Sequence, residues 1–420
     1  MSSLVVQTVS LILPFRALRP ARGRAADVVA PPYDVLSTDE ARVLAADRPW
    51  SFLHVSKPEI DLSADTDPYA EAVYAKGKEN LLRMIGEGVL RRDGTAMYYA
   101  YRLRMGDHVQ TGLVAAASVA AYDAGRIRRH ELTRPDKEDD RVRQIEAVGG
   151  HTGPVLLAYP PASHVDTLLA EATSAAADDI AIGPGGVEHA LWSIGSGGLQ
   201  QRLSDAFEAM PALYIADGHH RSAAASRVAR HRRESGSSPD HPSQRFLVVA
   251  FPHHQMKILA YNRVVRDLGP HGPEAFLHAL EERFEVQEEA QAVTPRKAAQ
   301  FGLRLGPRWY RLTLKAPWTQ AGDPVARLDV SLLAAHVLEP LLGIADPRRD
   351  KRIDFVGGFR GVAELDRRVD SGEWAAAFSM FPTQMTDLMA VADQGMIMPP
   401  KSTWFEPKLA DGMASLMLDG

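Results

Sequence analysis

The sequence predicts an α/β protein whose strands form a mixed sheet, and three observations support this. Short apolar runs alternate with segments of helical periodicity along the 420 residues. Residues 97–103 and 110–119 are strand-like runs on either side of Gly106-Asp107, which predicts a hairpin. Residues 212–233 have the pattern of a strand, a tight loop and a helix. Since single cores stop growing at roughly 250–300 residues, we expect two domains or a large core with an annex.

Capping residues, glycines and apolar runs predict the helices and strands of the first half of the chain. Ser37 and Glu40 form a capping-box pattern before a short helix. A longer helix is expected to begin at Pro68 and to end at Gly86. Residues 51–55 are interpreted as a strand that places His54 in the core. Further strands are expected at residues 154–159, 189–194, 212–216 and 246–251, and a further helix at residues 163–176.

The composition changes beyond Gly269, where we place a domain boundary near residue 270. Residues 1–270 are expected to form the first region. Residues 271–420 are expected to form a C-terminal α/β annex whose role the sequence leaves open. Its predicted elements are helices at residues 273–284 and 330–341 and a strand at residues 309–314.

Composition excludes several classes of function. The chain contains no cysteine, which removes disulfides, thiolate nucleophiles, and cysteine-ligated iron–sulfur and zinc sites. A formal charge of -5 does not support a nucleic-acid binder that relies on a basic surface. The sequence has no run of about 18 apolar residues and its start lacks the features of a signal peptide. We therefore expect a cytoplasmic protein with neither a nucleic-acid nor a membrane partner, and a homodimer is a possible assembly.

The loop at residues 217–221 carries the densest chemistry in the chain. A helix N-terminus offers unpaired N–H groups and partial positive charge, so it favours phosphate or carboxylate. Gly218 lets the backbone turn, and Arg221 offers a planar fork for phosphate oxygens. His219 and His220 can donate to phosphate or bind a metal. Asp217 can hold Mg²⁺ or accept a hydroxyl proton.

A structural interpretation of the same loop competes with the functional one. Asp-Gly is a common turn, and either histidine can be a satisfied surface residue. The strand–loop–helix context favours the functional interpretation, because a phosphate-binding loop requires that context.

The charged segment at residues 129–137 is a second candidate. His130 and Glu131 are candidates for a base or a metal ligand, and Arg134 for contact with an anionic substrate. The alternative is a solvated charge run, since this much charge is not buried without partners.

Two further segments are candidates for substrate binding. Prolines 31 and 32 would hold Tyr33 and Asp34 in a fixed pose, although they could equally form a rigid start to the following helix. Lys401, Ser402 and Thr403 resemble the end of a P-loop without its glycine pattern, which excludes a Walker A site. They could contact an anionic ligand or belong to a tail held by aromatic side chains.

Several motifs together resemble a bacterial and archaeal family that carries a domain-of-unknown-function label. The resemblance extends over nearly the whole chain. It rests on residues 14–16 (Pro-Phe-Arg), 30–34 (Ala-Pro-Pro-Tyr-Asp), 51–55, 129–131 (Arg-His-Glu), 216–221 and 399–403.

Asp217 to Arg221 also resemble a motif of the free serine kinases in the ParB/sulfiredoxin-like superfamily. Over about a dozen residues this resemblance implies that residues 1–270 form a ParB-like catalytic or nucleotide-binding region. It also implies phosphorylation of free L-serine, with ADP or ATP as the donor. Sulfiredoxins use a catalytic cysteine, which this chain lacks. ParB proteins of the segregation type carry a helix-turn-helix module that the sequence does not reveal.

The leading hypothesis is a nucleotide-dependent phosphotransferase acting on a small hydroxylated metabolite, with free L-serine as the best acceptor. Gly218, His219, His220 and Arg221 would bind the donor phosphates, Asp217 would position Mg²⁺ or the acceptor, and Glu131 would be the general base.

Two alternatives come from other classes. One is a metal-dependent hydrolase or phosphatase with His219, His220, Asp217 and His130 as ligands. The other is a regulator that binds nucleotide without transferring phosphate.

Overall fold

The computed structural model describes residues 10–195, 197–319 and 322–419. The chain forms two compact units, one containing residues up to Met256 together with those from Pro407 onward, the other Lys257–Glu406. The division precedes the boundary predicted near residue 270, because the strand Tyr261–Val265 pairs within the sheet of the second unit. The tail rejoins the first unit, where Leu416–Met417 pairs with Gly150–His151.

A large mixed sheet forms the centre of the first unit, as the sequence predicts. Val155–Tyr159 runs parallel to Arg245–Pro252 and antiparallel to Leu213–Asp217, so the sheet combines both kinds of ladder. In spatial order the strands are Ile127–Arg128, Leu213–Asp217, Val155–Tyr159, Arg245–Pro252, His108–Ser118, Tyr98–Met105, Glu188–Ile194 and Asp179–Ile182, with Ile12–Leu13 pairing to His108–Ser118.

The central strands of this sheet are apolar along their length because both faces are covered. Leu157, Val248 and Ile215 lie in one apolar core with Ala225 of a covering helix. The α-helices of the first unit are Ala25–Val28, Thr38–Ala45, Leu53–Ser56, Glu71–Gly86, Val119–Asp123, Pro135–Val148, Ser163–Ala172, Gly198–Glu208 and His219–Glu234.

The second unit contains an antiparallel sheet. In spatial order its strands are Phe284–Glu289, Arg308–Leu314, Gln300–Leu305, Ala376–Ser379, Tyr261–Val265 and Ile353–Gly357. Lys257–Leu259 pairs separately with Trp404–Glu406. The α-helices are Pro273–Leu280, Asp329–Leu333, Glu339–Leu342, Ala363–Asp370 and Met385–Asp393, with a π-helical segment at Ala334–Leu338.

The structure confirms the capping box of Ser37 and Glu40, whose side chains and backbone N–H groups bond reciprocally. It also confirms the hairpin formed by Tyr98–Met105 and His108–Ser118. The strand predicted at residues 51–55 is wrong, because Leu53–Ser56 forms a short helix. There His54 Nδ1 bonds to Asp61 at 2.8 Å, so its ring is held by a carboxylate.

Among the described residues, no helix combines the length and the apolar character needed to cross a membrane.

Candidate functional site

Gly218 joins the end of the strand Leu213–Asp217 to the start of the helix His219–Glu234. Its φ of 99° and ψ of 28° lie in the left-handed region that favours glycine. A Cβ at this position would lie 3.2 Å from Arg221 Nε and 3.3 Å from Val155 Cα. Glycine therefore serves the turn and the close packing of a guanidinium group against the loop.

Arg221 is the buried cation of this loop, with only 11% of its side chain exposed. Its guanidinium donates to the Pro154 carbonyl. It lies 3.7 Å from Asp34 Oδ2 and 3.8 Å from Asp217 Oδ1. Burial lowers the pKa of Arg221, but these carboxylates outweigh it and raise the pKa above its ordinary value. Asp34 and Asp217, which the sequence singled out in different segments, thus both lie beside this positive charge.

Asp217 faces a second cation, since Lys408 Nζ lies 3.3 Å from its Oδ2. Burial raises the pKa of Asp217, but Lys408 and Arg221 outweigh burial and lower this pKa to about 2. The carboxylate is therefore ionised at neutral pH. Lys408 lies in the C-terminal tail, and no pattern in the surrounding sequence marked it as part of the site.

His130 and His219 form a buried pair whose ring centroids lie 4.5 Å apart. The His130 backbone N–H faces His219 Nε2 at 3.4 Å, and Glu131 Oε2 lies 3.7 Å from His219 Nδ1. Burial lowers the pKa of both rings, that of His130 to about 4, so both are neutral at pH 7. Burial is the largest effect on the pKa of His219, and the charge of Asp217 opposes it.

His220 and Arg134 meet through the backbone. The Arg134 N–H donates to His220 Nε2 at 3.1 Å, which leaves Nδ1 of the neutral ring as an N–H donor. The Arg134 guanidinium instead pairs with Asp136 at 2.7 Å, and the two side chains are 70% and 56% exposed. The structure therefore brings the backbone of Arg134 to the loop and leaves its charge in solvent.

A small cavity of about 30 Å³ lies beside Arg221 in the first unit. Arg141 stacks over the Tyr33 ring, with its guanidinium carbon 3.8 Å from the ring centroid. Burial raises the pKa of Tyr33 to about 12, so the phenol stays protonated. The sequence did not indicate Arg141, His151 or Asp411 as site residues. The full lining is Tyr33, Ser56, Arg141, Gln144, Ile145, His151, Thr152, Gly153, Arg221 and Asp411.

Lys401, Ser402 and Thr403 belong to the second unit. Lys401 Nζ lies 5.5 Å from the centroid of the Tyr261 ring. Ser402 Oγ donates to the Pro399 carbonyl at 2.6 Å, and its own carbonyl accepts from Thr383. Lys401 and Ser402 thus have contacts within their own unit, and the assignment of the segment to substrate binding stays a prediction.

No group of three or more His, Asp or Glu side chains in the described part of the chain is arranged to hold a metal ion. Asp217, the predicted metal ligand, is already in contact with Lys408 and Arg221. These cations occupy the surroundings that a metal ion would need, so the site residues do not fit a resident metal.

A family model described as "Protein of unknown function (DUF1015)" matches residues 12–331. The chain belongs to this family. The match confirms the resemblance to a family with a domain-of-unknown-function label over residues 12–331, and it does not reach the motif at residues 399–403. No curated protein matches the chain in a sequence comparison.

Several solved structures are similar to the chain at low identity. A conserved hypothetical protein from Pyrococcus furiosus is 15% identical, with a TM-score of 0.34, and the match covers 73% of this chain and 96% of that one. A free serine kinase in complex with AMP is 14% identical, with a TM-score of 0.36 and coverage of 73% and 91%. SbnI with C-terminal truncation from Staphylococcus aureus is 13% identical, with a TM-score of 0.37 and coverage of 72% and 87%. TM-scores this low establish neither a common fold nor a common activity.

Proposed function

We propose that the protein is a nucleotide-dependent phosphotransferase that acts on a small hydroxylated metabolite, with free L-serine as the acceptor. One observation carries the proposal: the start of the helix His219–Glu234 lies beside a cluster in which the largely buried Arg221 meets the more exposed Asp217, Asp34 and Lys408. Phosphoryl transfer depends mainly on positioning and on charge neutralisation, and this cluster combines both.

The donor phosphates would lie at the helix start. The N–H groups there and the partial positive charge of the helix favour an anion. Arg221 would add a charge that burial keeps weakly screened, and the free Nδ1–H of His220 would donate one hydrogen bond. The donor is ATP or ADP, and Mg²⁺ enters the proposal as part of the nucleotide rather than as a resident ion.

The acceptor would lie between Asp217, which ends the strand Leu213–Asp217, and Glu131, whose Oε2 lies 3.7 Å from His219 Nδ1. Asp217 would orient the acceptor hydroxyl, and Glu131 would take its proton. The acceptor oxygen forms a bond to the transferred phosphorus as the bond to the bridging oxygen of the nucleotide breaks. The products are the phosphomonoester, a nucleotide shortened by one phosphate, and a proton on Glu131.

The proposal extends to the fold of the first unit as a ParB/sulfiredoxin-like nucleotide-binding core. The mixed sheet and the strand–loop–helix at Leu213–Asp217 support it. The unit Lys257–Glu406, which holds most of the region predicted as an annex at residues 271–420, is proposed as that annex and includes the Lys401 segment.

Phosphorus NMR of the protein with Mg²⁺, ATP or ADP, and L-serine tests the proposal. We expect a new phosphomonoester signal that requires serine. Consumption of nucleotide without serine would contradict the kinase hypothesis and favour a hydrolase. Nucleotide binding without consumption, tested with many acceptors, would favour a regulator that binds nucleotide.

A further inference from the structure

Asp411 contributes a carboxylate with one unsatisfied oxygen to the cavity beside Arg221. Its residue is only 2% exposed, and its Oδ1 accepts no hydrogen bond from the residues that the structure describes. Its backbone is fixed by two hydrogen bonds with Ala30. Because a buried acceptor without a donor costs free energy, a rigidly held orphan oxygen in a cavity indicates a bound donor.

His151 also lines this cavity, and one of its ring nitrogens is a second orphan atom. Its Nε2 has no hydrogen-bond partner among the described residues. Burial lowers the pKa of His151 to about 4, against an opposing effect of the Arg245 backbone, so the ring is neutral at pH 7. A neutral imidazole has one acceptor nitrogen, and Nε2 serves as that acceptor when Nδ1 carries the proton. The cavity can therefore offer two acceptors to one ligand.

The charges around the cavity favour a cationic donor. Two arginines and a lysine of this cluster face four carboxylates, so one negative charge is unmatched within it. Asp140 bonds to Arg141, and Asp34 and Asp217 lie within 4 Å of Arg221. Among the described residues Asp411 forms no ion pair within that distance; burial raises its pKa, and Arg221 and Arg141 oppose this effect from farther away. The members of the cluster are Arg141, Arg221, Lys408, Asp34, Asp140, Asp217 and Asp411.

The size of the cavity limits the ligand. One water needs roughly 10–15 Å³, so about 30 Å³ admits a group of two or three heavy atoms. A purine or a ribose is too large. The absence of a side chain on Gly153 keeps this space open, since a Cβ there would lie 3.3 Å from Asp411 Oδ1.

We propose that this cavity binds the primary ammonium group of a small ligand, with Asp411 Oδ1 as the charged partner and His151 Nε2 as the second acceptor. That the ligand is the phosphoryl acceptor rests on the proposed function. Burial raises the pKa of Asp411 to about 7, and a bound ammonium group would keep this carboxylate ionised.

The test compares L-serine with glycerate, in which a hydroxyl group replaces the ammonium group. Their binding to the full chain is measured by calorimetry without nucleotide. We expect L-serine to bind about tenfold or more tightly, as for a charge-assisted hydrogen bond, and Asp411→Asn to abolish this preference. The matched control is Asp139→Asn, a carboxylate 59% exposed in an ion pair with Arg227, which should keep the preference.

Gly153→Ala gives a second variant, because its methyl group narrows the cavity without changing a charge. It should weaken serine binding while the protein stays folded by circular dichroism. Equal binding of serine and glycerate to the wild type, or an unchanged preference in folded Asp411→Asn, would overturn the ammonium site. Serine preference without phosphate transfer would support the ammonium site and contradict the proposed function.

Discussion

Arg221 and Arg134 were both predicted to contact anions, and the structure places them in opposite environments. The Arg134 guanidinium lies 2.7 Å from Asp136 in a pair that is mostly exposed. Arg221 lies farther from its carboxylates, at 3.7 and 3.8 Å, but it is buried. The comparison shows that burial, rather than contact distance, decides how much a charge influences its surroundings, because water screens the exposed pair.

The largest expected effect is on stability. Arg221→Gln should lower the free energy of unfolding by about 3 kcal/mol, since the buried Pro154 carbonyl loses its charged donor and the partly exposed Asp34 and Asp217 lose a cation. Arg134→Gln should change it by less than about 0.5 kcal/mol, because its pair is exposed. Urea unfolding of both variants measures the difference. Equal losses would show that the burial of Arg221 has no energetic consequence.

The second prediction concerns the pH dependence of the buried ring beside the loop. Burial lowers the pKa of His130 from 6.5 to about 4, against smaller effects of the Ile215 backbone and Asp217. The unfolded chain therefore binds this proton more tightly than the folded chain. The neutral ring therefore contributes roughly 3 kcal/mol to the free energy of unfolding. This contribution is complete above about pH 6.5 and is lost as the pH falls towards about 4.

His130→Gln should flatten the slope of the free energy of unfolding against pH, measured between about pH 4 and 7. The control is His278→Gln, whose side chain is 88% exposed and should contribute little. A slope that is the same in His130→Gln and in the wild type would show that the ring is not held neutral.

The third prediction concerns Gly218 and separates two effects of adding a side chain there, backbone strain in the turn and crowding against Arg221. Gly218→Ala should cost about 2–3 kcal/mol, because it strains the backbone and brings a methyl group against Arg221 and Val155. Gly106→Ala is a matched control with a φ of 58° and no atom within 4 Å of the added Cβ, and it should cost about 1 kcal/mol. Thermal unfolding compares the two. Equal costs would mean that the guanidinium does not require this glycine.

Local patterns predicted the strand–loop–helix well, because its signals lie within a few residues of one another. The apolar run before Asp217 and the Gly218 turn are sufficient for that unit. The strand predicted at residues 51–55 is wrong because an apolar run shorter than six residues fits a buried helix turn as well as a strand.

The other residues of the candidate site could not be predicted from local sequence patterns, because they are distant from the loop in the sequence. Lys408 and Asp411 belong to the C-terminal segment, which is distant in sequence from the rest of the site but lies in the same unit. Asp411 follows an ordinary Leu-Ala pair and precedes a glycine, so nothing nearby distinguishes it from a turn residue. Sequence separation also concealed that Asp34 faces Arg221, although each was singled out by itself.

The central claim is that the buried charge of Arg221 serves phosphoryl transfer, and the most direct test is the rate of phosphoserine formation followed by phosphorus NMR. Arg221→Gln is compared with Arg227→Gln, which removes an arginine of the same helix that pairs with Glu138 and Asp139. The account predicts a loss of about 100-fold or more for folded Arg221→Gln and wild-type turnover for Arg227→Gln. Wild-type turnover in folded Arg221→Gln would contradict it.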